Sequence, residues 1–284
     1  MLWEPELFDD KFFMSTVAYI PTGLMLEFVE RLYEVTLDST DESGNISRSF
    51  TELAEEAYTL SSFKIKFEQV LKKFIGSDAE LYYNEIRQVR SKNLTVVDTQ
   101  QVATAERIIE TLRTDPNVKE IVNCVTSERY TVLDQLQVEN YQIDGHSFKS
   151  MMDRVIVDHH DKTIQVYDLK CTWNVENFYE EYYLYRRAYI QAYLYMRAAE
   201  YAFRGYDQYT VLAPRFLVCD SANYFRPLIY TLDASNLYDA YNGFEHKGRT
   251  YTGVKALIDE LSWAHTNNIW NISCLLYTSP SPRD

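Results

Sequence analysis

The sequence is poor in the residues that phosphate-binding loops and thiolate metal sites require. Only eight of its 284 residues are glycine, and neither a Walker loop nor a dinucleotide-binding loop is present. The four cysteines are scattered without a C-x-x-C pair, which argues against a zinc site, an iron–sulfur cluster and a disulfide framework. There is no G-x-S-x-G nucleophile elbow. These absences disfavour P-loop enzymes, dinucleotide-dependent enzymes and serine hydrolases.

Positive charge and long apolar runs are scarce too. The formal net charge of -14 argues against a surface coated with basic residues for nucleic acid, although it is compatible with a basic groove on an acidic body. No run of about 18 apolar residues occurs, so we expect no membrane span and no membrane partner. The first residues lack the basic and apolar regions of a signal peptide, which makes a cytoplasmic protein the default expectation.

Helical spacing dominates the first half of the chain, and strand spacing follows it. Ser49-Phe-Thr-Glu52 predicts a capping box, and a helix capped by Ser61 or Ser62 should end at Gly76. After residue 98 we expect a helix, three strands, a long helix from about Val175 to Phe203, a further strand, and closing elements. We therefore predict an α/β fold with a mainly helical region over 1–98 packed on a core over 99–272.

The last residues, 273–284, break from this pattern. They show no periodicity and contain two Ser-Pro steps, which oppose a helix. They resemble a translated sequencing adapter, so we expect this tail to be non-native and leave it out of the fold prediction.

Two carboxylates and one lysine stand at an informative spacing. Lys149–Val157 and Lys162–Lys170 both alternate as half-buried strands do, and the turn between them contains two histidines. A tight turn pairs residues whose numbers sum to 321, which places Asp153 directly opposite Asp168. Like charges in that position are destabilising, and a bound divalent cation is the simplest reason for them. The turn residues His159, His160 and Asp161 are expected to be solvent-exposed only.

The stretch Met152-Asp-Arg-Val155 with Tyr167-Asp-Leu-Lys-Cys-Thr172, followed by Gln191-x-x-x-Tyr195, resembles the PD-(D/E)XK nucleases. Within them it is most similar to phage recombination exonucleases of the lambda and RecE type and to RecB-like nuclease domains. The resemblance covers roughly Thr99 to Cys219. It implies a restriction-endonuclease-like core, in which a helix, a three-stranded antiparallel hairpin sheet, a helix and a strand follow an added N-terminal helical region.

The resemblance also implies roles for single residues. Asp153, Asp168 and the backbone carbonyl of Leu169 would hold Mg²⁺ or Mn²⁺, and Lys170 would position or deprotonate the attacking water. Gln191 and Tyr195 would lie beside the metal. Arg187 lies four residues before Gln191, on the same helical face, and could contact phosphate. A further acid is expected, for which Glu139 and Glu106 are the main candidates and Glu128 is the third.

The function implied is that of a Mg²⁺-dependent exonuclease acting on linear double-stranded DNA in phage-type recombination or DNA processing. Double-stranded DNA ends, a single-strand-annealing protein and a homo-oligomeric ring are the implied partners, and a phage-encoded protein would act in the host cytoplasm. Two alternatives stay open. One is a structure-specific or restriction-type endonuclease of the same fold, and the other is a catalytically silent module that binds DNA or protein.

Overall fold

The computed structural model describes residues 2, 8–17, 19–222 and 226–270. The chain divides into two compact units, Met1–Arg107 and Ile108–Asp284, and the division falls inside a helix rather than in a linker. The predicted non-native tail, 273–284, lies outside the described residues. Among the described residues, no helix is both long and apolar enough to cross a membrane.

The first unit is mainly helical. Its elements are α1 (Phe8–Lys11), β1 (Phe12–Met14), α2 (Gly23–Asp38), α3 (Phe50–Thr59), α4 (Phe67–Phe74), α5 (Asp78–Val89), β2 (Thr95–Val97) and the first part of α6 (Thr99–Thr114). The capping box at Ser49 is confirmed, because its hydroxyl accepts from the Glu52 N–H and the Glu52 carboxylate accepts from the Ser49 N–H. The helix expected from Ser61 or Ser62 begins only at Phe67.

The second unit is a mixed α/β structure. It contains the rest of α6, then α7 (Lys119–Val122), β3 (Tyr130–Ile143), β4 (His146–Asp158), β5 (Thr163–Thr172), α8 (Ala188–Ala202), β6 (Thr210–Asp220), β7 (Leu228–Thr231), α9 (Ala234–Asn242), β8 (Phe244–His246), β9 (Arg249–Tyr251) and α10 (Val254–Asn267). The hairpin of β8 and β9 was not predicted, because three-residue strands carry too little alternation to be recognised.

Five strands form the central sheet in the order β3-β4-β5-β6-β7. The first three are antiparallel to one another, β6 is parallel to β5, and β7 is antiparallel to β6. Arg154 pairs with Tyr167 and Val155 with Val166, which confirms the predicted hairpin register.

Helix α8 packs on one face of this sheet. Val155, Val157, Ile164 and Val166 are buried there, in a cluster that includes Ala198 of α8. On the opposite face Arg154 is buried, and its guanidinium donates to the Asp134 carboxylate and to backbone carbonyls of α7. Both faces of the hairpin are therefore packed at the level of Arg154 and Val155.

The long helix predicted from about Val175 to Phe203 is wrong in its first half. A 3-10 turn over Val175–Asn177 and a π-helical segment over Tyr179–Tyr185 precede α8. Arg187 then adopts a left-handed conformation with φ 58°. Aromatic packing accounts for the irregular path, since the rings of Phe178 and Tyr183 are buried against Tyr230, with centroids 5.2 and 5.3 Å apart.

Candidate active site

The two predicted carboxylates lie where β4 and β5 separate. The β4–β5 ladder runs from the Asp158–Thr163 pair to the Arg154–Tyr167 pair, so Asp153 and Asp168 are the next residues along each strand. Asp153 Oδ2 accepts a hydrogen bond of 2.8 Å from the Leu169 N–H. The Asp153 carboxylate thus accepts a backbone N–H of β5 just beyond the last paired residues of the two strands, and this hydrogen bond orients the carboxylate toward β5.

Asp168 is almost fully buried, with 2% of its surface exposed. Its Oδ1 accepts a hydrogen bond of 3.1 Å from Gln191 Nε2. Its Oδ2 forms an ion pair with the Lys170 ammonium but accepts no well-aligned hydrogen bond. The buried Oδ2 atom is therefore paired with the Lys170 ammonium rather than with a well-aligned hydrogen-bond donor.

Burial raises the pKa of Asp168 to about 6. The Lys170 ammonium lowers this pKa, whereas the negative charge of Asp153 raises it, and the loss of hydration outweighs the attraction of the lysine. A strongly raised carboxyl pKa beside a second carboxylate is typical of functional sites. The arrangement therefore favours an additional cation at the pair.

Helix α8 supplies the two polar side chains expected from its Gln-x-x-x-Tyr spacing. Gln191 Nε2 donates to the Tyr195 hydroxyl at 2.8 Å as well as to Asp168. The Tyr195 hydroxyl donates to the Met151 carbonyl at 2.8 Å, which ties α8 to β4. Burial and the Asp168 charge both raise the pKa of Tyr195, so its hydroxyl stays protonated at neutral pH. The spacing of four residues brings both groups to one helix face.

Lys170 lies on β5 two residues beyond Asp168 and points to the same face. Its side chain is 20% exposed, and its Nζ lies 5.8 Å from the centroid of the Phe216 ring on β6. The Phe216 ring and the Asp168 carboxylate together hold the Lys170 ammonium beside the two carboxylates. The structure thus brings together Asp153, Asp168, Lys170, Gln191 and Tyr195.

The other predicted site residues are placed differently. Arg187 is exposed and precedes α8 in a left-handed conformation, so the helical spacing that related it to Gln191 does not apply. Glu139 is exposed on β3 opposite Lys149, away from the level of Asp153, and its carboxylate accepts from Gln137 Nε2 at 2.7 Å. Glu106 is exposed on α6, in the part of that helix that belongs to the first unit. Leu169 directs its N–H to Asp153, and a role for its carbonyl stays a prediction.

A second acidic cluster lies at the other end of the same hairpin and includes His160 and Asp161, which were expected to be solvent-exposed only. Ligand atoms of Asp158, His160 and Asp161 lie within 4.8 Å of one another. The Arg129 guanidinium donates to Asp158 and, together with backbone N–H groups, lowers the pKa of that carboxyl to about 2. The expectation of mere solvent exposure fails for His159, whose ring nitrogens bond to Thr131 and Tyr209 at 2.8 Å.

Comparison of the chain with models of known protein families finds no match. Comparison with curated proteins finds no significant match either.

Proposed function

We propose that the second unit is a restriction-endonuclease-like core of the PD-(D/E)XK type and that the protein is a metal-dependent DNA exonuclease. The observation that carries the proposal is the register of β4 and β5. It sets Asp153 beside Asp168 at the point where the strands separate, with Lys170 paired to Asp168. The resemblance noted in the sequence supplies the reaction class, and the geometry supports it.

The residues fit a small, hard divalent cation. Mg²⁺ and Mn²⁺ prefer oxygen ligands, and the site offers two carboxylates, one of which has a buried oxygen that accepts no well-aligned hydrogen bond. The repulsion and the loss of hydration that raise the pKa of Asp168 would be offset by a cation between the carboxylates. Asp153 and Asp168 would therefore hold the ion, with the Leu169 carbonyl as a further ligand. A bound ion would polarise a phosphodiester and lower the pKa of a coordinated water.

Three side chains of the protein would assist the metal ion in the reaction. Lys170, held against Phe216 and beside Asp168, would orient the attacking water or neutralise charge that develops on the phosphate. Gln191 fixes the orientation of the Asp168 carboxylate, and Tyr195 fixes that of Gln191 while anchoring the helix to the Met151 carbonyl. Such outer partners commonly decide how well a metal is held.

Linear double-stranded DNA is the proposed substrate, and the test compares DNA with and without ends. Linear and covalently closed duplex DNA are incubated with the protein in Mg²⁺ and in EDTA, beside Asp168→Asn and Lys170→Ala. We expect only linear DNA to be degraded, only with metal, and by neither variant. Asp161→Asn is the matched control, because it removes an exposed carboxylate from the second acidic cluster. It should retain activity.

Each departure from this pattern has a definite meaning. Cutting of closed circles would replace the exonuclease proposal by an endonuclease of the same fold. Full activity in Asp168→Asn and Lys170→Ala would refute the site, and loss of activity in Asp161→Asn alone would move it to the other end of the hairpin. Absence of cleavage with saturating Mg²⁺ and Mn²⁺ would favour a silent binding module.

A further inference from the structure

Two cysteines lie side by side on neighbouring strands, and one of them follows Lys170 directly in the sequence. Cys171 on β5 is the register partner of Cys219 on β6, in the parallel part of the sheet. Residues paired in this way are about 4.8 Å apart between Cα atoms and direct their side chains to the same face. That spacing lies within the range of about 4.4–6.8 Å that a disulfide requires.

The two thiols differ in accessibility. Cys171 is exposed, whereas Cys219 is buried with 4% of its surface accessible. An oxidant in solution can therefore reach the first sulfur, and the second is in place to react with the product. Reactive pairs in redox-regulated proteins combine an accessible thiol with a neighbouring resolving thiol in this way. The sequence contains no C-x-x-C pair and therefore did not indicate this arrangement, because Cys171 and Cys219 become neighbours only through the pairing of β5 with β6.

We propose that Cys171 and Cys219 are a reversible oxidation site, which closes to a cross-strand disulfide on exposure to hydrogen peroxide. The Cys171 sulfur would attack one peroxide oxygen, so that an S–O bond forms, the O–O bond breaks and the thiol proton leaves with the second oxygen as water. The Cys219 sulfur would then attack the sulfenic sulfur, the S–O bond would break, and a second water would leave with the Cys219 proton. Two thiols are oxidised by two electrons while one peroxide is reduced.

We expect formation of the disulfide to displace Lys170. The Cys219 thiol donates to the Lys170 carbonyl at 3.3 Å, and a disulfide removes this donor while it ties β5 to β6 next to the lysine. Displacements of about 1 Å in an active site can cost about 100-fold in rate. We therefore expect the oxidised protein to lose nuclease activity by about tenfold or more. This part of the inference rests on the proposed function, whereas the disulfide itself does not.

Mass spectrometry of the full chain tests the disulfide without any activity assay. Reduced protein is treated with hydrogen peroxide, alkylated and digested with trypsin. We expect a cross-linked pair of peptides that begin at Cys171 and Phe216, the loss of two of the four free thiols, and full recovery with dithiothreitol. Cys124→Ser is the matched control and should form the same cross-link, while Cys171→Ser and Cys219→Ser should not form it.

The contrary outcomes are equally definite. Dimers linked through Cys171, or a Cys171 sulfinic acid with Cys219 still free, would overturn the proposal. If the cross-link forms and the reduced protein degrades no DNA, the oxidation site stands and the proposed nuclease function fails. If the reduced protein is a nuclease and the cross-link is absent, the nuclease stands and the oxidation site fails. Nuclease activity that survives complete cross-linking would refute the effect on Lys170.

Discussion

Replacing Asp168 with Asn should stabilise the folded protein at neutral pH, although it removes the centre of the candidate site. The pKa of Asp168 is about 6 in the folded protein, against an ordinary value of 3.8. Each pKa unit corresponds to about 1.4 kcal/mol, so the ionised carboxylate costs about 3 kcal/mol of the free energy of unfolding, as an order of magnitude. The nearly complete burial of this side chain justifies the conversion. Sites built for function often carry such a cost.

The pH range of this cost follows from the sign of the shift. Between pH 3.8 and about 6 the folded protein keeps the Asp168 proton, while the unfolded chain has lost it. The folded state therefore binds more protons, and the contribution of this residue to stability falls as pH rises. The cost is absent below pH 3.8 and complete above about 6. Asn at this position has no proton to lose, so the difference between the two proteins should grow over this range.

Urea denaturation of both proteins at pH 4, 5, 6, 7 and 8, without divalent metal, measures the effect. The difference at pH 8 minus the difference at pH 4 cancels any cost of the substitution that does not depend on pH. We expect it to favour Asp168→Asn by about 2.5 kcal/mol, because a small part of the cost is already present at pH 4, and by several degrees in melting temperature. A flat difference across this range would refute the raised pKa. A difference that favours the native protein more strongly at pH 8 would refute the sign of the argument.

Four further predictions concern metal binding and stability. Mg²⁺ or Mn²⁺ should raise the melting temperature of the native protein more at pH 8 than at pH 5, because Asp168 must lose its proton to bind metal, and calorimetry with Asp168→Asn should show no such rise. Gln191→Leu should weaken metal affinity by about 10–100-fold in a titration while the fold persists, because it releases the Asp168 carboxylate. Ser49→Ala should cost about 1 kcal/mol in urea denaturation through loss of the α3 cap, and Ser49→Asp should restore it. Asp134→Ala should cost about 3 kcal/mol, because it removes a carboxylate from the buried Arg154 guanidinium, and an unchanged midpoint would contradict that account.

The sequence predicted the parts of the candidate site that depend on local repetition. Strand alternation and a tight turn determine the register of a hairpin, so the adjacency of Asp153 and Asp168 followed from counting. A spacing of four residues places Gln191 and Tyr195 on one face of a helix, and both were found beside Asp168. These relations need only one or two neighbouring elements.

Other features depend on contacts between distant segments and were missed. Arg187 was expected within a continuous helix, but packing of the Tyr183 ring against Tyr230 imposes a π segment and a turn before α8. Cys171 and Cys219 meet through a parallel pairing, whose register is shifted by an irregularity earlier in the two strands. Helical propensity and hairpin counting carry no information about either contact.

The two acidic clusters of the hairpin differ in how far the protein itself balances their negative charge, and this difference favours the Asp153–Asp168 pair as the candidate metal site. The Asp158 carboxylate is already paired with a cation of the protein. The Arg129 guanidinium and two backbone N–H groups donate to this carboxylate and lower its pKa to about 2. Asp168 is buried beside a second carboxylate with one lysine to balance the pair, and its pKa is raised to about 6. A carboxylate that is already neutralised gains little from a metal ion, whereas two carboxylates that share one ammonium retain a net negative charge, and the Asp168 side chain is nearly cut off from solvent. In the proposed nuclease, a dication would relieve that charge, and Lys170 would then be able to face a substrate phosphate.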